Sequence, residues 1–297
     1  MKFAVLIIHP PGYQHSECFR EVAETIHFGL LRLGHDSVLT DNTLISGRQH
    51  IVLGSNLIGS YPIWPPEDSV LYNLEQIKDN HYWVNGTFPA ILRDYSAWDY
   101  SSDNKSELKK LGITVEAVLP IGYSDRLTRI AKVADPDIDV LFIGSCNDRR
   151  LRLLERMRAL GLNVVHLFGK YGEERDSIIG RAKLLLNAHL YKAKILEIVR
   201  ISYYLANGCA VLSEFGGNPD DDRQFEGGVA FAEYDDLPAR ALELCENRDV
   251  RLALAQRGFE IMRARPIEPL LEAALAVNAR ARIRRKRSLR HAGKVRF

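Results

Sequence analysis

The stretch from Ala182 to Glu214 constrains this chain most, because its hydrophobic period changes twice over a short span. Ala182 to Leu186 reads as a strand buried in a parallel sheet, and Leu186-Asn187-Ala188-His189 leads from it into a polar loop carrying His189, Lys192 and Lys194. Ile195, Ile198, Ile201 and Leu205 then fall on one helical stripe. Asn207-Gly208 stops that helix, and Cys209 to Glu214 resumes as a strand. Strand, loop, helix and strand in this order form a crossover unit, whose loop lies at the carboxyl end of a parallel sheet.

A helix start of this kind suits an anion. Unpaired N–H groups and the helix dipole favour negative charge, Lys194 adds a cation, and the Glu197 carboxylate can accept two hydroxyl hydrogen bonds from a ribose. A nucleoside diphosphate presents both needs together. The competing reading is a plain surface ion pair, since Glu197 and Arg200 stand three apart on a helix.

These residues resemble the nucleotide-sugar site of GT-B glycosyltransferases of the group 1 type, in particular its CgeB-like branch. In that family two acidic residues flank seven others, and His189 and Glu197 have this spacing. The resemblance implies that Glu197 binds the ribose, and that His189, standing where the family usually has Glu, approaches the donor sugar. Leu205 to Val211 resembles the family's helix-Gly-strand run, and Phe225-Glu226-Gly227-Gly228-Val229 its later acidic-Gly loop. The match is good from Ile138 to Arg265 and holds only in outline before that.

Length and composition agree with two α/β domains. The 297 residues, 46% hydrophobic and without a low-complexity tract, suffice for two ordinary cores. The expected division is an N-terminal Rossmann-like, acceptor-side domain over 1–134, a nucleotide-sugar domain over 135–270, and a basic helix or tail over 271–297. Strands are expected at Phe3 to Ile8, Ser37 to Thr40, Ile51 to Leu53, Val70 to Tyr72 and Val115 to Leu119, with helices from Ser16 to Leu33 and from Asn104 to Leu111. After the Ala134-Asp135-Pro136-Asp137 linker the pattern restarts, with strands Val140 to Ile143 and Val164 to Leu167, and helices Arg149 to Leu160 and Arg251 to Met262. Two Rossmann-like domains facing a cleft is the expected fold.

Loops after strands supply the remaining candidates. Gly144-Ser145, with Arg149 and Arg150 close behind, can meet a diphosphate, or can be an ordinary Gly turn before a basic helix face. Tyr171 follows a strand where such enzymes seat the base, and Gly12 and His15 fill the loop after the first strand. Glu75 and Asp99 are the candidate general bases if the reaction inverts, because a base must reach the attacking hydroxyl. The spacing of His189 and Glu197 resembles the retaining branch instead.

Other readings are narrowed by what surrounds them. No Gly-x-Gly-x-x-Gly follows either first strand, which weakens a dehydrogenase. Asp220-Asp221-Asp222 lies in a Gly-Pro loop without a preceding apolar strand and reads as a solvated acidic turn, not a metal site. The resemblance likewise implies metal-independent binding of a UDP-sugar co-substrate, with no other cofactor. Cys18, Cys146, Cys209 and Cys245 show no Cys-x-x-Cys spacing, and the opening apolar run is short for a signal peptide, so a cytoplasmic enzyme is expected and the Asn85-Gly86-Thr87 sequon is chance. The tail from Arg280 to Arg296 holds nine basic residues and no acid, against 31 basic and 38 acidic residues elsewhere. It reads as a segment packing on its own acidic body, with DNA or an anionic lipid surface as the alternative partner. Rival functions are a GT-B sugar-nucleotide epimerase and an inactive nucleotide-sugar or nucleic-acid binder.

Overall fold

The computed structural model describes residues 1–78 and 86–292, and these form two compact units, one of residues 1–121 with 267–292 and one of 122–266. The division falls at residue 121 and not at 134, because the connecting segment already belongs to the second unit. Tyr123 N donates to Arg265 O, Thr128 Oγ1 donates to Ala206 O, and the Asn207 side chain accepts from Arg129 N and Ile130 N. Asn85 lies outside the described residues, as do Lys294 and Arg296 of the basic tail.

The first unit is a parallel sheet of six strands, β1 (Lys2–Ile7), β2 (Asp36–Asp41), β3 (Gln49–Leu53), β4 (Val70–Asn73), β5 (Ser96–Asp99) and β6 (Val115–Val118), in the order β2-β1-β3-β4-β5-β6. From Phe3 to Ile7 and throughout β3 every residue is buried, as expected of strands covered on both faces. The expected helix from Ser16 divides into a 3-10 turn, Gln14–Phe19, and the helix Arg20–Arg32. β5 and the helix Phe88–Asp94 were not foreseen; β5 is only four residues long and ends on the acidic Asp99, so no long apolar run betrays it. The last helix, Ile267–Ala292, belongs to this unit: Gly29 comes so close to Ile267 that an added Cβ would stand 2.8 Å from Ile267 Cγ2, and Arg32 pairs with Glu268 at 3.3 Å. Its start thus precedes the expected boundary at residue 271.

The second unit is a parallel five-stranded sheet of β7 (Ile138–Ile143), β8 (Val164–Leu167), β9 (Ala182–Asn187), β10 (Val211–Glu214) and β11 (Ala230–Ala232), ordered β11-β10-β9-β7-β8. Its core joins Val140, Phe142, Leu184, Leu186 and Leu212 of the strands to Leu153, Leu154, Met157, Leu237 and Leu244 of the covering helices. Shortening one of these leucines to Ala should cost about 2–5 kcal/mol. The stripe expected to begin at Ile195 starts later, since the helix is Ile198–Ala206 with Glu197 as its N-cap residue. Lys194 holds a left-handed φ of 48°, which takes the chain off the helical path, while Ile195 remains buried ahead of the helix.

Strand order sets where a ligand site can lie. The chain leaves β7 toward β8 on one side and β9 toward β10 on the other, so the loops after β7 and β9 diverge and open a crevice between them. Those loops, with the first turn of the helix Asp148–Ala159 that follows β7, carry Gly144 to Arg150 and His189 to Glu197. In the first unit the same divergence falls between β1 and β3, which places Gly12 and His15 at its switch point.

Candidate functional site

The second unit's crevice gathers four of the expected donor-binding residues, Arg149, Arg150, Lys194 and Glu197, into two ion clusters. In the first, Glu214 at the end of β10 is fully buried and accepts from Arg149 Nη1 at 2.9 Å, Arg149 Nη2 at 2.5 Å, Lys194 Nζ at 2.9 Å and His189 N at 3.1 Å. Burial alone would raise its pKa, but these partners hold it down at about 2. The Arg149 guanidinium also lies 3.8 Å from the centre of the Tyr234 ring, and Tyr234 Oη donates to Arg149 O at 2.6 Å. A cation stacked on one face and forked on one edge is fixed in place.

The second cluster is centred on Glu197. Arg150 Nη2 donates to Glu197 Oε1 at 2.8 Å and Arg200 Nη1 meets Glu197 Oε2 at 2.6 Å, so the ion pair with Arg200 foreseen as the alternative reading is present, with a second arginine added. Arg150 is 2% exposed. Nε and Nη2 also donate to Ala188 O and Nη1 to Ser145 O, and Asn147 caps its helix by accepting from Arg150 N. Of the arginine pair weighed for the diphosphate, Arg150 is therefore tied into the framework, whereas the Arg149 side chain keeps 31% of its surface open. Gly144 adopts φ 138°, and a Cβ there would stand 3.0 Å from Arg200 Nη2, so the glycine gives that arginine its space.

His189 is 2% exposed, with neither ring nitrogen hydrogen-bonded. Burial lowers its pKa against the pull of Glu197 and Glu214, leaving a neutral imidazole near neutral pH. The Asp220 to Asp222 run is corrected in part. It forms a short helix, Pro219–Arg223, in which Asp220 is open and pairs with Arg223, but Asp222 is 6% exposed and accepts from Gly216 N at 2.8 Å. Among the described residues no group of three or more His, Cys, Asp or Glu side chains is arranged to hold a metal ion. Tyr171, half-buried, ends the loop after β8 as the residue before the helix Gly172–Ile179.

The remaining candidates stand in the first unit. Gly12 is open with φ 76°, and His15 packs edge-on to Tyr13 at 5.2 Å. Asp99 and Glu75 come together through two amides: Asn73 Nδ2 donates to Asp99 Oδ2 at 2.6 Å and to Glu75 O at 3.0 Å, and Asn104 Nδ2 reaches Asp99 Oδ1 at 3.1 Å and Glu75 O at 2.7 Å. Asp99 is fully buried, and burial lifts its pKa to about 7 against these hydrogen bonds. An enclosed carboxyl serves here as an anchor for the loops after β4 and β5. Glu75 is half-buried and takes Asn56 Nδ2 on one oxygen at 3.2 Å.

Glu214 is the residue that sequence reasoning missed. The sequence places it at the end of a strand, and its one visible signal is an acid closing an apolar run at a sheet's carboxyl end.

No protein-family profile matches the chain. Among curated proteins it is similar to the uncharacterized protein L137 of Acanthamoeba polyphaga mimivirus, at 28% identity over 240 residues, which cover 77% of this chain and 32% of that protein. It is also 22% identical over 240 residues to protein L140 of the same virus, covering 78% and 75% of the two. The chain thus spans about a third of the length of L137. Solved structures match across nearly the whole chain. AviGT4, a glycosyltransferase involved in avilamycin A biosynthesis, has a TM-score of 0.57 at 15% identity, covering 94% of this chain and 98% of its own. HepE of Anabaena, solved with UDP and glucose, and WaaG, a glycosyltransferase involved in lipopolysaccharide biosynthesis, each reach 0.59 at 11% identity over 93% of this chain and 99% of theirs. Two parallel-sheet α/β units with these neighbours make the fold that of the GT-B glycosyltransferases.

Proposed function

We propose that this chain is a glycosyltransferase that moves a sugar from a nucleotide diphosphate, UDP, to an acceptor, and that it belongs to the CgeB-like branch of the group 1 type. The observation that carries the reading is the pair of fixed, partly open cations, Arg149 and Lys194, flanking the crevice between β7 and β9. A departing diphosphate gains charge in the transition state, and cations already in place stabilise it without reorganisation. Glu197 holds the ribose, His189 faces the donor sugar and Tyr171 meets the base. Glu75 is the base should the outcome be inverting; the spacing of His189 and Glu197 favours retention. HepE has been solved with UDP-glucose, UDP, and UDP and glucose, which supports a uridine donor here.

Calorimetry with UDP, ADP and UDP-glucose, followed by release of UDP from the sugar nucleotide, tests this reading. Binding of UDP with acceptor-dependent turnover supports a transferase. An epimerised sugar without transfer assigns an epimerase, binding without turnover assigns an inactive binder, and no binding overturns the reading.

A further inference from the structure

The geometry points to Glu214 as the positioning residue of the diphosphate site: its buried carboxylate holds Arg149 and Lys194 in one fixed arrangement and so sets their preference for two linked phosphates over one. This rests on the donor reading above. Glu214 is fully buried at the carboxyl end of β10 and is gripped by Arg149, Lys194 and the His189 backbone. Its bonds thereby join the helix after β7 and the loop after β9 to β10, the three segments that border the crevice.

The two cations remain available for a ligand. Of the five N–H bonds of an arginine, Arg149 uses two on Nη1, to His189 O and Glu214, and one on Nη2, to Glu214. Lys194 uses one of three. The Arg149 and Lys194 side chains are 31% and 37% exposed. One carboxylate between two cations leaves a net positive charge, so the cluster attracts an anion while its geometry is already set. Preorganisation of this kind reduces the ordering cost of binding. A plain electrostatic view gives the opposite expectation for a variant, since removing the carboxylate makes the site more positive and should tighten every phosphate ligand.

Titration calorimetry of the full chain with UMP and with UDP separates the two views, on the unmodified protein and on Glu214→Gln. The expected result is that the unmodified chain favours UDP over UMP by about tenfold or more, and that Glu214→Gln reduces this ratio to about threefold or less with UMP affinity little changed. A general loss of structure would weaken both ligands together. Glu214→Asp, which keeps the charge but not the reach, should fall between them, and it carries the test if Glu214→Gln does not fold by circular dichroism. An unaltered ratio in the variants, or tighter UDP binding by Glu214→Gln, overturns the assignment. Absence of UDP binding by the unmodified chain overturns the donor reading itself.

Discussion

Arg150 Nη2 donates to Glu197 Oε1 at 2.8 Å, and this bond joins a guanidinium that is 2% exposed to the carboxylate expected to hold a ribose. One residue thus serves the framework and the proposed ligand at once. Glu197 lies at the start of the helix Ile198–Ala206, while Arg150 comes from the helix after β7, so their pair bridges the two helix starts on either side of the crevice.

Glu197→Ala should therefore lose stability as well as affinity. Removing one partner of a buried pair costs about 3–5 kcal/mol, and the low end is expected here because Ala188 O and Ser145 O still hold Arg150. Glu197→Gln retains an acceptor for Arg150 and isolates the ribose contact. Its UDP affinity should fall by about 1.5–3 kcal/mol, the usual worth of a charged hydrogen bond, with a small change in melting temperature. Denaturant unfolding and calorimetry check the two halves; an alanine variant as stable as the unmodified chain would show that the Arg150 contact contributes nothing.

Lys194 and His189 should separate by ligand. Lys194→Ala is expected to weaken UDP and UDP-sugar alike, because the Nζ, 2.9 Å from Glu214, is proposed to hold phosphate. His189→Ala should leave UDP affinity within about twofold and lower turnover, since the imidazole is proposed to face the sugar. Equal loss of UDP affinity in both variants would show that these roles are divided wrongly.

Much of this was legible in the sequence because the relevant signals are local. The βαβ rhythm, the loops after β7 and β9 and the Asn207-Gly208 stop each depend on neighbours along the chain, and the strands other than β5 and β11 lie within a residue or two of their expected places. What escaped depends on contacts between distant residues. Arg149 and Arg150 are adjacent and chemically alike, yet one stacks on Tyr234 and meets Glu214 while the other is buried against Ala188, Ser145 and Glu197. Asp222 looked like its exposed neighbours until the fold placed its carboxyl against Gly216, where a Cβ would stand 2.8 Å from Oδ1. Asp99 looked like an open carboxylate at a strand end, and Asn73 and Asn104 enclose it.

Activity should survive excess EDTA if protein cations alone hold the diphosphate. Turnover measured with chelator, and again with added manganese or magnesium, checks this. Loss of activity with EDTA and its recovery with metal would count against the proposed metal-independent mechanism.

Deleting residues 279–297 tests the basic tail, whose helix begins against Gly29 in the first unit. If the tail packs on its own body, the deletion should lower the melting temperature and leave nucleic-acid binding absent. If DNA is a partner, a gel shift should weaken steeply with salt, with a log-log slope of about −0.9 per neutralised phosphate, and vanish in the truncated chain.

Asp99 should make the first unit less stable as pH rises through the weakly acidic range. Its carboxyl, ordinarily near 3.8, is lifted to about 7 by burial, so the folded state holds the proton that the unfolded chain has released. Below pH 3.8 both states are protonated and the contribution is fully present; between about 4 and 7 it is lost progressively, at about 1.4 kcal/mol per pH unit at most; above 7 both states are ionised and nothing more is lost. Glu214 has the opposite sign, being held at about 2, and its contribution is lost only as pH falls below the usual carboxylate range. His50 and His189, whose pKa values burial lowers, also favour the fold as pH rises toward neutrality, so the comparison must be made between variant and parent. Asn keeps an oxygen for the Asn104 amide and the Ser101 N–H and cannot ionise, while its NH2 meets the Asn73 amide at a cost that does not change with pH. The melting temperature of Asp99→Asn relative to the unmodified chain should rise steadily from pH 4 to pH 7 and level off above it; a difference that stays constant across this range would show that Asp99 is ionised throughout it in the folded state.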